Sequence, residues 1–296
     1  MLCDSHIHYI PKELSDYSDF YKGVWTDKDK LYTYLDKQDI TKALLVYPST
    51  DAHLKLGSFS KVCTIYNSAL EEVTRNNPKI IAAGIIDLDN LETLHDQSNQ
   101  LQQRGFKAVS IASSYKGKFL LKELEPLFEV AQDKNLPIFV HPQTINPIGF
   151  ERVKDPLLMP VLEFSFDLSM FMGLLMMEGI LEKYKVKFIF SSLGGITPFL
   201  KDRFDRVYAM LRERKIVKDI GRIPSQILNK IYVDTSGASL ENIKLAIDLF
   251  GQDKLLWGSD YPVCGDIKSN IKMLDGLKKE EREKITYGNF LSIFGK

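Results

Sequence analysis

Short apolar runs rich in β-branched residues recur along the chain, separated by longer stretches whose apolar residues return every three or four positions. Eight such runs stand out: CDSHIHYI, TKALLVYP, KIIAAGIID, FKAVSIAS, LPIFVHP, VKFIFSS, KIYVDTS and KLLWGSDYP. Each has the length and composition of a strand. NLETLHDQSNQLQQRG, LKELEPLFEVAQDKN and SLENIKLAIDLFG lie between them and read as helices with one apolar face. The helix after the sixth run is the best marked, because Thr197 is placed to cap it, Pro198 suits its first turn, and Leu200, Phe204, Val207, Tyr208 and Leu211 form one stripe.

Strand and helix alternating eight times in a chain of this length predict an α/β fold, a (β/α)₈ TIM barrel, rather than an open doubly wound sheet. No low-complexity tract, repeat or Gly/Ser-rich linker interrupts the pattern, so residues 1–296 are expected to form one domain. The connection from Gln143 to Pro160 is long and rich in proline. Loops of that length are commonly functional, which makes it a candidate lid or dimer contact, with a surface insertion as the plain alternative.

The composition, 44% hydrophobic and 26% charged over 296 residues, is that of a globular chain. Lys plus Arg equals Asp plus Glu at 39 each, which removes any general electrostatic argument for nucleic acid or an anionic membrane as partner. The longest apolar runs, such as GLLMMEGIL, stop short of the ~20 residues a spanning helix needs, so no membrane segment is expected. Asp4, His6 and His8 stand where a signal peptide would carry a basic start and an apolar run. Cys3, Cys63 and Cys264 form no C-x-x-C pair, consistent with reduced thiols, and a cytoplasmic location is the expectation.

The chemistry starts at Asp4-Ser5-His6-Ile7-His8. On an extended strand His6 and His8 share one face, so they are either a clamp for one ion or a chance pairing, and ligands elsewhere must decide. Barrels of this kind gather their chemistry at the C-terminal ends of the strands. His6 and His8 close the first run, His141 closes the fifth in FVHP, and Asp260 closes the eighth in LLWGSDYP. Three imidazoles and a carboxylate across one barrel mouth suit zinc or another divalent first-row ion, which favours the clamp.

DSHIHYIPKEL, LDKQDITKALLVYP, FVHP, ILEKYKVKFIFSSLGGITPFLKDR, IYVDTSG, LLWGSDYP and ITYGNFLSIFGK, in this order, resemble the amidohydrolase superfamily. The likeness is to the branch of aminocarboxymuconate-semialdehyde decarboxylase, pyrone-dicarboxylate lactonase and oxalomesaconate hydratase. It implies one divalent metal, zinc first, held by residues matching His6, His8, His141 and Asp260, with Asp260 also handling protons. A second metal bridged by a carboxylated lysine is not expected, since Lys107 lies at the start of the fourth run. Many members form dimers, so a homodimer is admitted.

One departure stands out. Where members usually read H-x-G-G after the sixth strand, this chain reads Ser192-Leu193-Gly194-Gly195. A serine hydroxyl without an adjacent base is a poor proton acceptor at neutral pH. Asp260 then serves alone, or another residue such as His53 substitutes, or the scaffold has lost its activity. If Ser192 replaces the histidine, its side chain should face the mouth and Ser191 the other way.

Arg203 matches an arginine common after the double glycine and could meet a substrate carboxylate, unless it pairs with Asp202, Asp205 or Asp260. Tyr115, Lys116 and Arg152 are further candidates for substrate contact, with a solvated surface role as the alternative. Met170, Met172, Met176 and Met177 read as packing rather than a sulfur site, and Cys264 has no local histidine to activate it. The expected function is therefore a metal-dependent hydrolase acting on a small carboxylated or cyclic compound, a lactone or amide, through metal-activated water with Asp260 as base. A decarboxylase of the same branch is the first alternative, and a barrel that binds metal or metabolite without catalysis, on account of Ser192, is the second.

Overall fold

The computed structural model describes residues 1–16, 18–48, 55–149, 155–264 and 267–295. All eight expected runs are strands: β1 Cys3–Ile7, β2 Lys42–Leu45, β3 Ile80–Ile85, β4 Ala108–Ala112, β5 Ile138–His141, β6 Phe188–Phe190, β7 Tyr232–Asp234 and β8 Leu255–Leu256. They pair in parallel in chain order. The ring closes where Ser5 N donates to Trp257 O at 2.8 Å, Asp260 N to His6 O at 2.9 Å and His8 N to Tyr261 O at 2.8 Å. The chain is a (β/α)₈ TIM barrel.

Two layers of apolar side chains follow from strand alternation. Cys3, Leu44, Val46, Ala83, Ala108, Phe139, Ile189 and Leu256 fill the barrel together with Phe290 and Ile293 of the helix Asn289–Phe294. Asn289 ties that helix to β8 by donating from Nδ2 to Leu255 O at 2.7 Å. A larger cluster, which includes Ile7, Leu45, Val140, Phe190 and Val233, packs the outer strand faces against the helices. One end of the barrel is thus plugged by a helix, leaving the strands' C-terminal ends for chemistry.

The helix after β6 begins differently from the expectation. Thr197 caps nothing: its Oγ1 donates backward to Gly194 O at 2.8 Å, and a 3₁₀ turn, Thr197–Leu200, leads into the helix Lys201–Glu213. The cause is the turn before it, where Gly195 has φ +70° and a Cβ there would lie 2.1 Å from Ser165 O. Only glycine lets this loop lie against the helix Phe164–Met177. The stripe from Leu200 to Leu211 faces that helix across an apolar groove of about 410 Å³, in which Tyr208 is buried and the others half-buried.

The long connection after β5 is also shorter than the expected Gln143–Pro160. Helical structure starts at Met159, because Pro160 is tolerated in a first turn. Met159–Met177 is then a 19-residue helix that is apolar enough to cross a membrane by length and composition, longer than the sequence suggested. Leu168, Phe171, Met172, Leu175 and Met176 bury one side of it in the barrel's outer layer, and Val161, Phe166 and Met170 are exposed on another.

Candidate metal centre

His6 and His8 do share an inward face, but a bulge is needed to put them there. The β1–β2 register shifts between Asp4 and Ile7, and Asp4 holds the bend by accepting His6 N at 3.1 Å and Ser259 N at 2.9 Å on one carboxylate oxygen. Tyr34 OH donates to the other at 3.0 Å. Burial raises the Asp4 pKa to about 6 against these hydrogen bonds. The bulge lets Cys3 point into the barrel floor while His6 and His8, of the opposite parity, point into its mouth.

His141 arrives from β5, two residues beyond the inward-facing Phe139. Ligand atoms of His6, His8 and His141 all lie within 4.8 Å of one another, and all three side chains are buried. Each ring uses Nδ1 on an outer partner: Asp234 Oδ2 at 2.8 Å for His6, Val46 O at 2.9 Å for His8, Pro142 O at 2.9 Å for His141. Those partners assign the proton to Nδ1 and leave each Nε2 lone pair for the centre. Asp260 completes the set, with Oδ1 at 3.1 Å from His8 Nε2 and 3.5 Å from His6 Nε2. Three nitrogens and one carboxylate oxygen converging in this way fit a single divalent ion.

The electrostatics follow from that crowding. Burial lowers the pKa of His8, and burial together with the neighbouring histidines pushes His141 well below the ordinary value, so both are neutral, ligand-ready imidazoles. Burial works against a charge on His6 too, but the Asp234 and Asp260 carboxylates outweigh it and raise its pKa to about 9, so an ion taking the His6 Nε2 lone pair displaces a proton there. Burial likewise opposes the Asp260 charge, yet the neighbouring His6 and His8 hold its pKa below the usual carboxylate value.

Two backbone features bring these groups together. Gly258 gives His6 and Asp234 room, since a Cβ there would crowd His6 Cβ at 3.0 Å and Asp234 Cβ at 3.2 Å. Asp260 itself has φ +60°, a left-handed conformation that costs a non-glycine residue about 1–2 kcal/mol. The side chain it turns inward is 28% exposed, open to the mouth where the histidines are closed.

Ser192 departs from the expectation. β6 ends at Phe190, and Ser192 (φ +49°) and Leu193 (φ +57°) form a left-handed turn that breaks the alternation. Ser192 is exposed, its Oγ 3.1 Å from Ser236 Oγ, and its N–H donates to Asp234 Oδ1 at 2.9 Å. It lines a rim cleft of about 410 Å³ with Leu193, Ser236 and Asn242. Ser191, not Ser192, continues the inward face of Ile189 and is fully buried.

The other candidates are scattered. His53 and Arg152 lie outside the described residues. Arg203 is exposed and lines the apolar groove with Leu200 and Phe204, while Asp205 holds Ser225 instead. Tyr115 is buried, and its OH donates to Asp89 Oδ1 at 2.8 Å, where Lys116 also pairs at 2.5 Å. Asp234, Asp4 and Trp25 were not anticipated. Asp234 closes β7 in IYVDTSG and obeys the same strand-end rule as the ligands. Trp25 stacks on His8 (centroids 5.5 Å, 23°) and, with Tyr21 and the exposed Phe20, makes an aromatic wall beside the centre.

A sequence model of the amidohydrolase family matches residues 3–296. The 2-amino-3-carboxymuconate-6-semialdehyde decarboxylase of Dictyostelium discoideum is 24% identical over 240 residues, which is 77% of this chain and 65% of that relative, just under two thirds of its length. A crystal structure of 5-carboxyvanillate decarboxylase from Novosphingobium aromaticivorans, with bound manganese and 3-methoxy-4-hydroxy-5-nitrobenzoic acid, has a TM-score of 0.82 at 17% identity, covering 100% of this chain and 97% of that one. One of 2,6-dihydroxybenzoate decarboxylase complexed with 2,6-dihydroxybenzoate has a TM-score of 0.83 at 18% identity, covering both chains fully at 100%. These relatives remove carboxyl groups rather than hydrolyse, which corrects the expectation of a lactone or amide hydrolase.

Proposed function

The chain belongs to the amidohydrolase family, and from that membership we propose that it is a metal-dependent decarboxylase of a small, planar, unsaturated or aromatic carboxylic acid. The observation that carries this reading is the convergence of His6, His8 and His141 with Asp260 beneath an aromatic wall. The decarboxylases it resembles favour carbon–carbon cleavage over hydrolysis.

A divalent ion in this donor set supplies Lewis-acid polarisation of a substrate oxygen beside the bond to be broken. Zinc and manganese both suit three imidazoles and a carboxylate. The chain's own residues do the rest. Asp234, Val46 O and Pro142 O fix the three rings in the ligand tautomer. Trp25 backs His8 and favours a flat substrate, since ring faces stack at little entropic cost. Asp260, open to the mouth, is the group we assign to hold or pass a proton, on the carboxylate oxygen that does not join the three imidazoles. As CO₂ leaves, the carbon that carried it must gain a proton from a general acid; Ser192 is too weak an acid at neutral pH, whereas Asp260, having first taken a proton from the substrate, can return it to that carbon.

The test loads purified protein with manganese or zinc and compares two substrate panels, ortho-hydroxy aromatic and unsaturated acids for CO₂ release, lactones and amides for new acid. CO₂ release from the first panel supports the reading. Turnover confined to the second sinks it.

A further inference from the structure

Ser191 follows the last residue of β6 with a side chain that the fold does not satisfy. The residue is fully buried, and its Oγ has no hydrogen-bond partner among the described residues. Its N–H donates to Val140 O at 3.1 Å, and Val140 pairs with Phe190 in the ladder. Ser191 therefore sits alongside His141, one strand spacing of about 4.8 Å away. Ile189 belongs to the inner cluster with Phe139, whose ring lies 5.2 Å from that of His6. Alternation carries the inward face of Ile189 on to Ser191, as it carries that of Phe139 on to His141. A hydroxyl is thus presented to the interior at the level of the histidines.

Buried polar groups are nearly always paired, and one left unpaired destabilises a fold that alanine would complete equally well. The Oγ of Ser110 is also without a partner, but Ser110 lines a cavity of about 20 Å³, room for one water. We propose that Ser191 anchors the bound acid, its O–H donating to a carboxylate oxygen on the β6 side of the three histidines. This rests on the reading of the site as one that binds a carboxylic acid beside a divalent ion. It also gives β6 a neutral donor one residue before Ser192, whose own hydroxyl is engaged with Ser236.

Calorimetric titration of manganese-loaded protein with benzoate, native against Ser191→Ala, tests it, joined to thermal melts of both forms without metal. In the variant, benzoate should bind about tenfold or more weakly, the value of a hydrogen bond to a charged group. Manganese affinity should be unchanged and the melting temperature equal or higher. Equal benzoate affinity, the mark of a hydroxyl satisfied by an ordered water alone, overturns the proposal, as does native protein that binds no benzoate. Benzoate has no ortho hydroxyl to activate it, so the titration reads anchoring without turnover. A tenfold gap in a protein that decarboxylates nothing leaves Ser191 its role and sinks the functional reading; CO₂ release with equal affinities does the reverse.

Discussion

Asp234 grips His6 through a 2.8 Å contact between Oδ2 and the ring's Nδ1, deep in the barrel where neither side chain meets solvent. Its other oxygen, Oδ1, accepts from Ser192 N at 2.9 Å, Ser236 N at 2.9 Å and Ser236 Oγ at 2.5 Å. In Asp234→Asn those three donors keep the amide oxygen and turn the NH₂ toward His6, where it opposes the Nδ1 proton. The ring then shifts its proton to Nε2 and blocks the ligand lone pair. Metal affinity should fall ten- to a hundredfold, the usual effect of losing such an outer partner. Competition with a fluorescent chelator measures it, and unchanged affinity would refute the assigned tautomer.

Asp260→Asn keeps the shape of the site but removes its proton-handling group. Turnover should drop by about 10² to 10⁴, with the thermal midpoint within a few degrees of native, since the side chain is partly open to the mouth and meets His8 and His6 there. A variant that turns over normally would take Asp260 out of the mechanism.

Ser192→His tests the departure from the family pattern. Ser192 is exposed beside an open cleft, and its left-handed φ is one that histidine tolerates better than most residues. An imidazole therefore fits, but on the rim rather than on the inward face that Ser191 continues, so CO₂ release at neutral pH should change little. A fall would show that the pocket has adapted around serine.

The strands were legible because each is a short apolar run that no helix pattern matches, and the candidate site because barrels collect function at strand ends. Those two rules alone bring His6, His8, His141 and Asp260 to one barrel mouth, where the structure gathers them. Asp234 obeys the second rule yet was missed, because its work is to hold a neighbour that only the folded barrel brings to it. Alternation was extended one residue too far at Ser192, since nothing in Ser-Leu-Gly-Gly announces that the left-handed turn begins with the serine. Thr197 looked like a cap for the same reason: the glycine turn redirects it to Gly194 O. The choice between hydrolysis and decarboxylation was illegible in principle, because one donor set serves both.

Asp167 predicts a pH dependence away from the metal centre. Buried on the helix Phe164–Met177, it accepts from Ser113 Oγ, from Ser114 Oγ at 2.9 Å and from Ile148 N at 3.3 Å, tying the loops after β4 and β5 to that helix. Burial outweighs these hydrogen bonds and raises its pKa. A raised carboxyl binds more protons folded than unfolded, so its contribution is complete below the ordinary value of 3.8 and is lost as pH rises through the folded one. Denaturant melts across that window should flatten in Asp167→Asn; an identical pH slope would mean that Asp167 does not titrate there.

The most direct measurement follows the carboxyl carbon. Manganese-loaded native protein and His141→Ala are each incubated with ortho-hydroxy aromatic acids labelled at the carboxylate, and the label is traced. Labelled CO₂ from the native protein, abolished in His141→Ala, is the expected result. No labelled CO₂ from any of the acids, together with hydrolysis of a lactone or amide, would contradict a decarboxylase at this centre.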